Sequence, residues 1–133
     1  MRNFANELRV LIVDDMPAMR SILRDMLQSR APLTIEEAED ADMAWEHLNA
    51  RQTSEFHLIL LDVVLPGMTG LDLVRAVRSH PQFAQTRILM ITSEGRLDNV
   101  DEAMRRGADG YLVKPFQEDR LHEWLDRFFP LRG

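Results

Sequence analysis

Five polar side chains in this sequence follow short apolar runs: Asp14, Asp15, Asp62, Thr92 and Lys114. If they lay together, the three carboxylates would repel one another unless a cation lay among them. Mg²⁺ suits such a site, because it takes oxygen ligands and keeps waters that other oxygens can replace. A hydroxyl and an ammonium beside it would add a hydrogen-bond donor and a positive charge. These residue types therefore indicate a cation site, provided that the fold brings them together.

Each of these residues also has an ordinary structural explanation. An acidic pair before a helix, such as Asp14-Asp15, is most often a cap or a partner of the helix dipole. Thr92 could be a turn residue, Lys114 a solvated charge, and Asp62 the point where a buried strand ends. It is improbable that all five residues lie at strand ends by independent accident. A parallel sheet brings the carboxyl ends of its strands to one edge, and ligands bind at that edge in open α/β sheets. The joint pattern favours a single site.

The strands that must position these residues are visible in the apolar pattern. Residues 58–61 form a continuous apolar run that is too short for a core helix and is followed by Pro66-Gly67. The run therefore predicts a strand buried on both faces. Four other runs predict strands at residues 9–13, 33–35, 87–91 and 111–113. The second strand along the chain is more polar, and we expect it at an edge of the sheet.

Apolar residues at spacings of three and four predict five helices, one after each strand. Pro17 suits the first turn of the first helix, and Asp40 is available to cap the second. Thr69 and Asp72 can form a capping box at the start of the third helix. The fourth helix is expected to stop at Gly107. The alternation of strands and helices predicts an α/β fold, a parallel sheet with helices on both faces.

The predicted helices differ in how many apolar residues they direct toward the core. The first helix has an inward stripe of Ala18, Met19, Ile22, Leu23, Met26 and Leu27. Its opposite side carries Arg20, Arg24, Asp25 and Gln28. The fourth helix, the least firmly anchored, is expected to bury only Leu97, Val100, Ala103 and Met104. The fifth helix is strongly amphipathic and ends at Pro130.

Composition limits the classes of protein to consider. A chain of 133 residues has room for one domain, and we expect a flexible N-terminus at 1–7, the domain at 8–130 and a tail at 131–133. The net charge of −6 makes binding to nucleic acid or an anionic membrane unfavourable. With no cysteine, disulfides and thiolate metal sites are excluded. No signal peptide or membrane-spanning run is visible, so we expect a soluble cytoplasmic protein.

Further turn residues accompany the five polar side chains, namely Pro66-Gly67, Gly70 and Pro115. In this combination the motifs resemble the receiver domains of two-component response regulators, over essentially the whole chain. The segment 14–20 is especially similar to stand-alone chemotaxis-type (CheY-like) regulators. The resemblance implies a flavodoxin-like, five-stranded parallel sheet in the order 2-1-3-4-5. It also implies a cis peptide bond between Lys114 and Pro115.

The resemblance implies a role for each site residue. Asp62 would be the nucleophile that takes a phosphoryl group from a phosphohistidine of a sensor histidine kinase or phosphotransfer protein. Mg²⁺ would be held by Asp14, Asp15, Asp62 and the backbone carbonyl of Val64. A polar residue often stands at the position of Val64 in such regulators. We therefore hypothesise that its apolar side chain alters the rate of self-dephosphorylation.

Switching is also implied by the resemblance. Lys114 would balance charge on the phosphoryl oxygens, and Thr92 would donate a hydrogen bond to one of them. Tyr111 would then swing inward, although it could also be an ordinary edge-strand tyrosine with a half-buried ring. The downstream target would bind the surface of helix four, strand five and helix five. The residues expected there are Asp98, Asp101, Glu102, Arg105, Tyr111, Glu118 and His122.

Other functions stay open at this point. One is a metal-dependent phosphohydrolase, but the chain shows no cap domain and no general acid beside Asp62. Another is a degenerate receiver used only for binding, although all five polar site residues are present. Within the receiver class, the protein could serve as a phosphate sink or adaptor without a flagellar motor target. We expect a monomeric phosphoacceptor switch rather than an enzyme.

Three further types of site are disfavoured. The histidines, His47, His57, His80 and His122, lack metal-ligand spacing, and we expect them at the surface or its boundary. The eight methionines are scattered or lie on the core stripe, which is typical of core filling and not of a copper site. No glycine-rich phosphate loop follows the first strand, which disfavours a nucleotide-binding switch.

Overall fold

The computed structural model describes residues 8–30, 33–50, 56–63, 69–93 and 97–130. The strands are β1 (Leu8–Val13), β2 (Leu33–Ala38), β3 (Leu58–Asp62), β4 (Arg87–Ser93) and β5 (Gly110–Lys114). The helices are α1 (Pro17–Gln28), α2 (Ala41–Ala50), α3 (Gly70–Arg78), α4 (Leu97–Arg106) and α5 (Glu118–Phe128). A 3₁₀ turn, Pro81–Phe83, lies between α3 and β4. All neighbouring strands pair in parallel in the order β2-β1-β3-β4-β5, so the predicted fold class and strand order are confirmed.

The register of the strands aligns their carboxyl ends. Val13 of β1 pairs with Leu61 of β3, so Asp14 follows β1 at the level where Asp62 ends β3. Asp62 in turn pairs with Ile91 of β4. At the next level, Thr92 of β4 pairs with Val113 of β5, and Lys114 pairs with Ser93. The polar side chains therefore reach one edge of the sheet from four different strands.

The core consists of two layers, one on each face of the sheet. Leu58 and Leu60 of β3 pack toward α1 and α5, while Ile59 and Leu61 pack toward α2, α3 and α4. All four side chains are fully buried, which confirms that β3 is covered on both faces. Burial of a Leu or Ile side chain contributes about 1.5–3 kcal/mol. This strand therefore holds Asp62 on a rigid support.

The predicted helix termini are confirmed where the structure describes them. Asp40 Oδ1 accepts a hydrogen bond of 2.7 Å from the backbone N–H of Met43. Thr69 Oγ1 accepts one of 3.1 Å from the N–H of Asp72, which is one of the two bonds of the predicted capping box. Gly107 has a φ of 119°, a conformation that side-chain-bearing residues rarely adopt, and it ends α4 as expected. The Lys114-Pro115 bond is cis, also as predicted.

Some residues of the predicted apolar stripes are not buried. Ile22 is 46% exposed and Met104 is 39% exposed, and Ala18 is also exposed. On α1, burial is concentrated at Leu23 and Leu27. At about 100° of rotation per residue, Leu23 lies one step around the helix from Ile22, and Leu27 lies on the side opposite Ala18. The helix thus buries only one edge of the stripe that the sequence suggested. No described helix is long and apolar enough to cross a membrane.

Candidate functional site

Three carboxylates meet at the carboxyl edge of the sheet. Asp14 and Asp15 follow β1, Asp62 ends β3, and one oxygen from each lies within 4.8 Å of the others. Asp14 is 1% exposed and Asp62 is 9% exposed, whereas Asp15 is open to solvent. The register of β1 and β3 is the cause, since Val13 and Leu61 pair immediately before the two acidic positions. The structure therefore brings the three predicted acidic residues together.

Lys114 reaches this acidic group from β5. Its Nζ lies 3.4 Å from Asp62 Oδ2 and 3.7 Å from Asp14 Oδ2. Because β4 separates β3 from β5, the long side chain must cross the end of β4 to make these contacts. The ammonium offsets part of the negative charge of the cluster, and the remaining charge is still negative.

Thr92 lies between the acidic residues and Lys114 in the strand order. Its side chain is 1% exposed, and its Oγ1 donates a hydrogen bond of 3.2 Å to the backbone oxygen of Ser93. This bond is long for a hydroxyl donor, whose usual distance is about 2.7–2.8 Å. Rotation about the Cα–Cβ bond would release the hydroxyl to another acceptor at the sheet edge.

The two oxygens of Asp14 have different surroundings. Oδ1 accepts a hydrogen bond of 2.9 Å from the N–H of Met16. Oδ2 is buried and has no hydrogen-bond partner among the described residues, and its nearest cation is Lys114 at 3.7 Å. An unsatisfied buried polar group costs about 1–3 kcal/mol, and more when it is charged. An oxygen-binding divalent cation would satisfy this atom, so the residues present fit Mg²⁺.

Gly70 holds the start of α3 close to the end of β3. Its N–H donates a hydrogen bond of 3.2 Å to the backbone oxygen of Val63. A Cβ atom at this position would lie 2.5 Å from the backbone oxygen of Asp62. Any larger residue would therefore push against the backbone that carries the central carboxylate.

Tyr111 lies on β5, the edge strand, and is 41% exposed. It borders a cavity of about 410 Å³ between β5 and α5. The other lining residues are Leu112, Val113, Pro115, Phe116, Gln117, Arg120 and Trp124. The aromatic ring thus stands at the surface in this conformation, beside a groove with both apolar and polar walls.

Part of the predicted target surface lies on α4. Asp101 and Arg105 are exposed, and Glu102 accepts hydrogen bonds from Arg105 at 2.7 Å and from Arg106 at 2.9 Å. These bonds from Arg105 and Arg106 lower the pKa of the Glu102 carboxyl below its ordinary value. The carboxylate is therefore ionised at neutral pH. Val64 and the side chain of Asp98, which also belonged to the predicted site and surface, lie outside the described residues.

Glu118 and His122 of α5 face the neighbouring helix α1. His122 Nε2 donates a hydrogen bond of 2.9 Å to the backbone oxygen of Met26. Ser29 Oγ donates to Glu118 Oε2, and His122 Nε2 lies 3.6 Å from the same carboxylate. These two residues of the predicted target surface thus also connect α5 to α1.

Helical periodicity places Arg20 on the polar side of the first helix, and no role at the site was predicted for it. In the structure, its Nη1 donates a hydrogen bond of 2.6 Å to the backbone oxygen of Asp14. Its Nε also donates to Glu37 Oε1 at 2.9 Å. The helical periodicity alone could not reveal these contacts, because they depend on how α1 crosses the ends of β1 and β2.

The sequence of this chain is similar to a known protein family and to two chemotaxis proteins. Residues 10–126 match the model of the response regulator receiver domain family. The chemotaxis protein CheY of Pseudomonas aeruginosa is 36% identical over 122 residues, which are 92% of this chain and 96% of that protein. Chemotaxis protein CheY-3 of Vibrio cholerae is 34% identical, with 92% of each chain covered.

The fold of this chain is likewise similar to the solved structures of response regulators. The chemotaxis response regulator CheY4 of Vibrio cholerae has a TM-score of 0.82 and 35% identity, and the alignment covers 93% of this chain and 100% of that one. A putative response regulator from Chloroflexus aurantiacus has a TM-score of 0.83 and 27% identity, with coverage of 92% and 98%. The similarity thus extends over the whole fold and includes all strands that carry the site.

Proposed function

Because this chain belongs to the response regulator receiver family, we propose that it accepts a phosphoryl group on Asp62 in a reaction that depends on Mg²⁺. It is a CheY-like receiver, a two-component signalling switch rather than a classical enzyme. The observation that carries the proposal is the position of Lys114 Nζ, 3.4 Å from Asp62 Oδ2, beside two further carboxylates at the same sheet edge.

In the proposed reaction, an Asp62 oxygen attacks the phosphorus of a phosphohistidine. The new P–O bond forms as the P–N bond breaks, and the released imidazole nitrogen takes up a proton. Lys114 offsets the negative charge on the transferred group, and the Thr92 hydroxyl donates to one of its oxygens after leaving Ser93. Positioning and electrostatic stabilisation are most of what phosphoryl transfer requires of a protein.

The cation site would be formed by Asp14, Asp15 and Asp62, with the backbone carbonyl of Val64 as a further proposed ligand. When bound, Mg²⁺ supplies positive charge that neutralises the phosphoryl oxygens and the carboxylates around them. The buried Asp14 Oδ2 without a hydrogen-bond partner among the described residues supports this assignment.

Phosphorylation would change the charge on Asp62 from −1 to about −2 and draw the Thr92 hydroxyl toward it. We propose that Tyr111 then moves inward and changes the α4-β5-α5 surface, defined by Asp98, Asp101, Glu102, Arg105, Tyr111, Glu118 and His122. The exposure of the Tyr111 ring beside the groove supports this direction of movement. Reversing a 1:99 population takes about 5.5 kcal/mol, so we expect a partial shift that a bound partner completes.

The proposed partners are a sensor histidine kinase or phosphotransfer protein and a downstream target. Relatives named as chemotaxis proteins favour a role in chemotaxis. A phosphate sink or an adaptor without a motor target is the alternative within the same class. A monomeric state, a location in the cytoplasm and the absence of nucleic-acid and membrane partners stay predictions.

Incubation with acetyl phosphate and Mg²⁺ tests the central proposal. Intact-mass measurement is expected to detect one added phosphoryl group on the native protein and none on Asp62→Asn or in the presence of a chelator. No modification in ample Mg²⁺, or equal modification of Asp62→Asn, would refute it. Multiple turnover of small phosphate esters would instead favour the phosphohydrolase. A pull-down with the beryllofluoride-treated protein, against Asp62→Asn, then identifies what binds the activated form.

A further inference from the structure

A guanidinium on α1 contacts the backbone of the acidic pair. Arg20 Nη1 lies 2.6 Å from the backbone oxygen of Asp14, which belongs to the peptide group joining Asp14 to Asp15. On the other side of the same residue, the Asp14 N–H donates a hydrogen bond of 3.1 Å to the backbone oxygen of Ala38, the last residue of β2. The backbone of Asp14 is thus fixed at its N–H and at its carbonyl.

Glu37 holds Arg20 in this position. Its Oε1 accepts from Arg20 Nε at 2.9 Å, and its Oε2 accepts from Arg24 Nη2 at 2.6 Å and from Arg24 Nε at 2.9 Å. Partial burial alone would raise the pKa of the Glu37 carboxyl, but the hydrogen bonds and charges of Arg24 and Arg20 outweigh it and lower the pKa. Glu37 is next to Ala38 in β2, so one short segment anchors both contacts to Asp14.

The side chain of Asp15 depends on this backbone for its position. It is exposed, and it makes no hydrogen bond or ion pair with the residues that the structure describes. Asp14, by contrast, has its Oδ1 fixed by the N–H of Met16. A change in the backbone torsion angles on either side of the Asp14-Asp15 peptide group would therefore turn the Asp15 carboxylate away from the other two. The bond from Arg20 to the Asp14 carbonyl, together with the bond from the Met16 N–H to Asp14 Oδ1, resists such a change.

We propose that Arg20, held by Glu37, is a positioning residue for the cation site and sets the Asp14-Asp15 peptide group so that both carboxylates face Asp62. This inference rests on the proposed function, because it assumes that the three carboxylates bind Mg²⁺. Arg20 itself is no ligand, since its guanidinium is a donor and carries positive charge.

Electrostatics and positioning predict opposite effects when Arg20 is removed. Loss of a positive charge near the carboxylates would by itself strengthen cation binding. Loss of the orienting hydrogen bond would weaken it, as changes in residues that orient metal ligands commonly do, by about 10–100-fold. Arg24 provides a matched control, because it binds the same Glu37 from the same helix and carries the same charge but makes no described contact with Asp14.

Calorimetric titration of each purified variant with Mg²⁺ alone tests the inference, with circular dichroism as the check on folding. Arg20→Met is expected to weaken Mg²⁺ binding about tenfold. Arg24→Met is expected to stay within about twofold of the native protein, because the Arg20 bonds survive. Arg20→Lys, which keeps the charge but cannot contact both Glu37 and the Asp14 carbonyl in a fork, should fall between them.

Each outcome has a defined meaning. Unchanged Mg²⁺ affinity in Arg20→Met, or an equal loss in Arg24→Met, overturns the positioning role. If Arg20→Met does not fold, Arg20→Lys decides the question in the same way, and native affinity in that variant overturns the inference. Failure of the native protein to bind Mg²⁺ would instead contradict the proposed function, so the two failures are distinguishable.

Discussion

Two groups of charged residues in this molecule differ in their hydrogen bonding. One is the site at the carboxyl edge, and the other is the Arg78 cluster, which consists of Arg78, Asp109 and the backbone groups that they bind. At the Arg78 cluster, Asp109 Oδ2 lies 2.8 Å from Arg78 Nη2 and 2.8 Å from the N–H of Ile88. Arg78 also donates to three backbone oxygens, those of Phe83, Thr86 and Gly107. At the carboxyl edge, the shortest contact of Lys114 with a carboxylate is 3.4 Å, and Asp14 Oδ2 has no hydrogen bond among the described residues.

The difference indicates what each cluster is for. The Arg78 cluster makes short bonds to α3, the 3₁₀ turn, β4 and the residues before β5, and so ties separate segments into one structure. The carboxyl edge keeps three carboxylates near one ammonium and tolerates an unsatisfied buried oxygen. Folded proteins leave few such groups unpaired, so an exception is informative. The Arg78 cluster therefore connects segments of the fold, whereas the carboxyl edge retains charge that is not fully paired, as the proposed function requires.

The largest expected effect on stability comes from a substitution in the Arg78 cluster. Arg78→Met removes donors to Asp109 and to three backbone oxygens, and we expect the free energy of unfolding to fall by about 2–4 kcal/mol. Urea unfolding followed by circular dichroism measures the change. Arg75→Met is the control, because Arg75 is an exposed arginine on the same helix and should change stability by less than about 0.5 kcal/mol. Similar small changes in both variants would contradict the structural role given to Arg78.

At the carboxyl edge, removal of a charge is expected to change the free energy of unfolding in the opposite direction. Asp14→Asn keeps an oxygen for the Met16 N–H but removes a charge that Asp15 and Asp62 repel, so the free energy of unfolding without Mg²⁺ should rise by about 1 kcal/mol. The same variant should lose Mg²⁺ binding. Urea unfolding in the presence of a chelator and calorimetric titration measure the two effects. A less stable variant in the chelator would show that the acidic cluster is part of the stabilising framework, and the contrast with Arg78 would fail.

The smallest expected effect on stability is the pH-dependent contribution of the ion pairs that Glu37 makes with Arg20 and Arg24. Arg24 and Arg20 lower the folded-state pKa of Glu37 below its ordinary value of 4.5, so its ionised form stabilises the fold above that pH. This contribution, less than about 1 kcal/mol for a partly exposed pair, should disappear as pH falls from 4.5 through the lower folded-state pKa. The difference in unfolding free energy between the native protein and Glu37→Gln, measured across this range, should shrink toward acid. A constant difference would argue against the ionic contribution.

Several features of the site were predictable because they depend on local patterns that a parallel sheet converts into proximity. The apolar run before Asp62 predicted a buried strand, and the four residues of that run, 58–61, are fully buried. Acidic, hydroxyl and ammonium residues after β1, β3, β4 and β5 predicted a shared edge, and Lys114 does lie beside Asp62 and Asp14. The strand order itself was inferred from the family resemblance, since alternating strands and helices are compatible with several orders.

Other features could not be predicted, because they depend on how far each helix is rotated about its axis. The spacing of Ile22 and Met104 fits an apolar stripe, yet both are more than one-third exposed. Periodicity identifies an apolar side of a helix, whereas its neighbours determine how much of that side is covered. The position of α5 likewise brings His122 to the carbonyl of Met26, a contact between residues far apart in the chain.

The sequence alone determined which chemical groups the site contains and which strand carries each of them, because residue type and apolar patterning are local properties. Only the tertiary structure decided that Asp14 Oδ2 lacks a hydrogen bond among the described residues and that Arg20 contacts the peptide group before Asp15. These facts depend on distances between segments that meet only after α1 has packed across the sheet. The physical reason is that hydrogen bonds are short and directional, so a small change in packing decides which of them form.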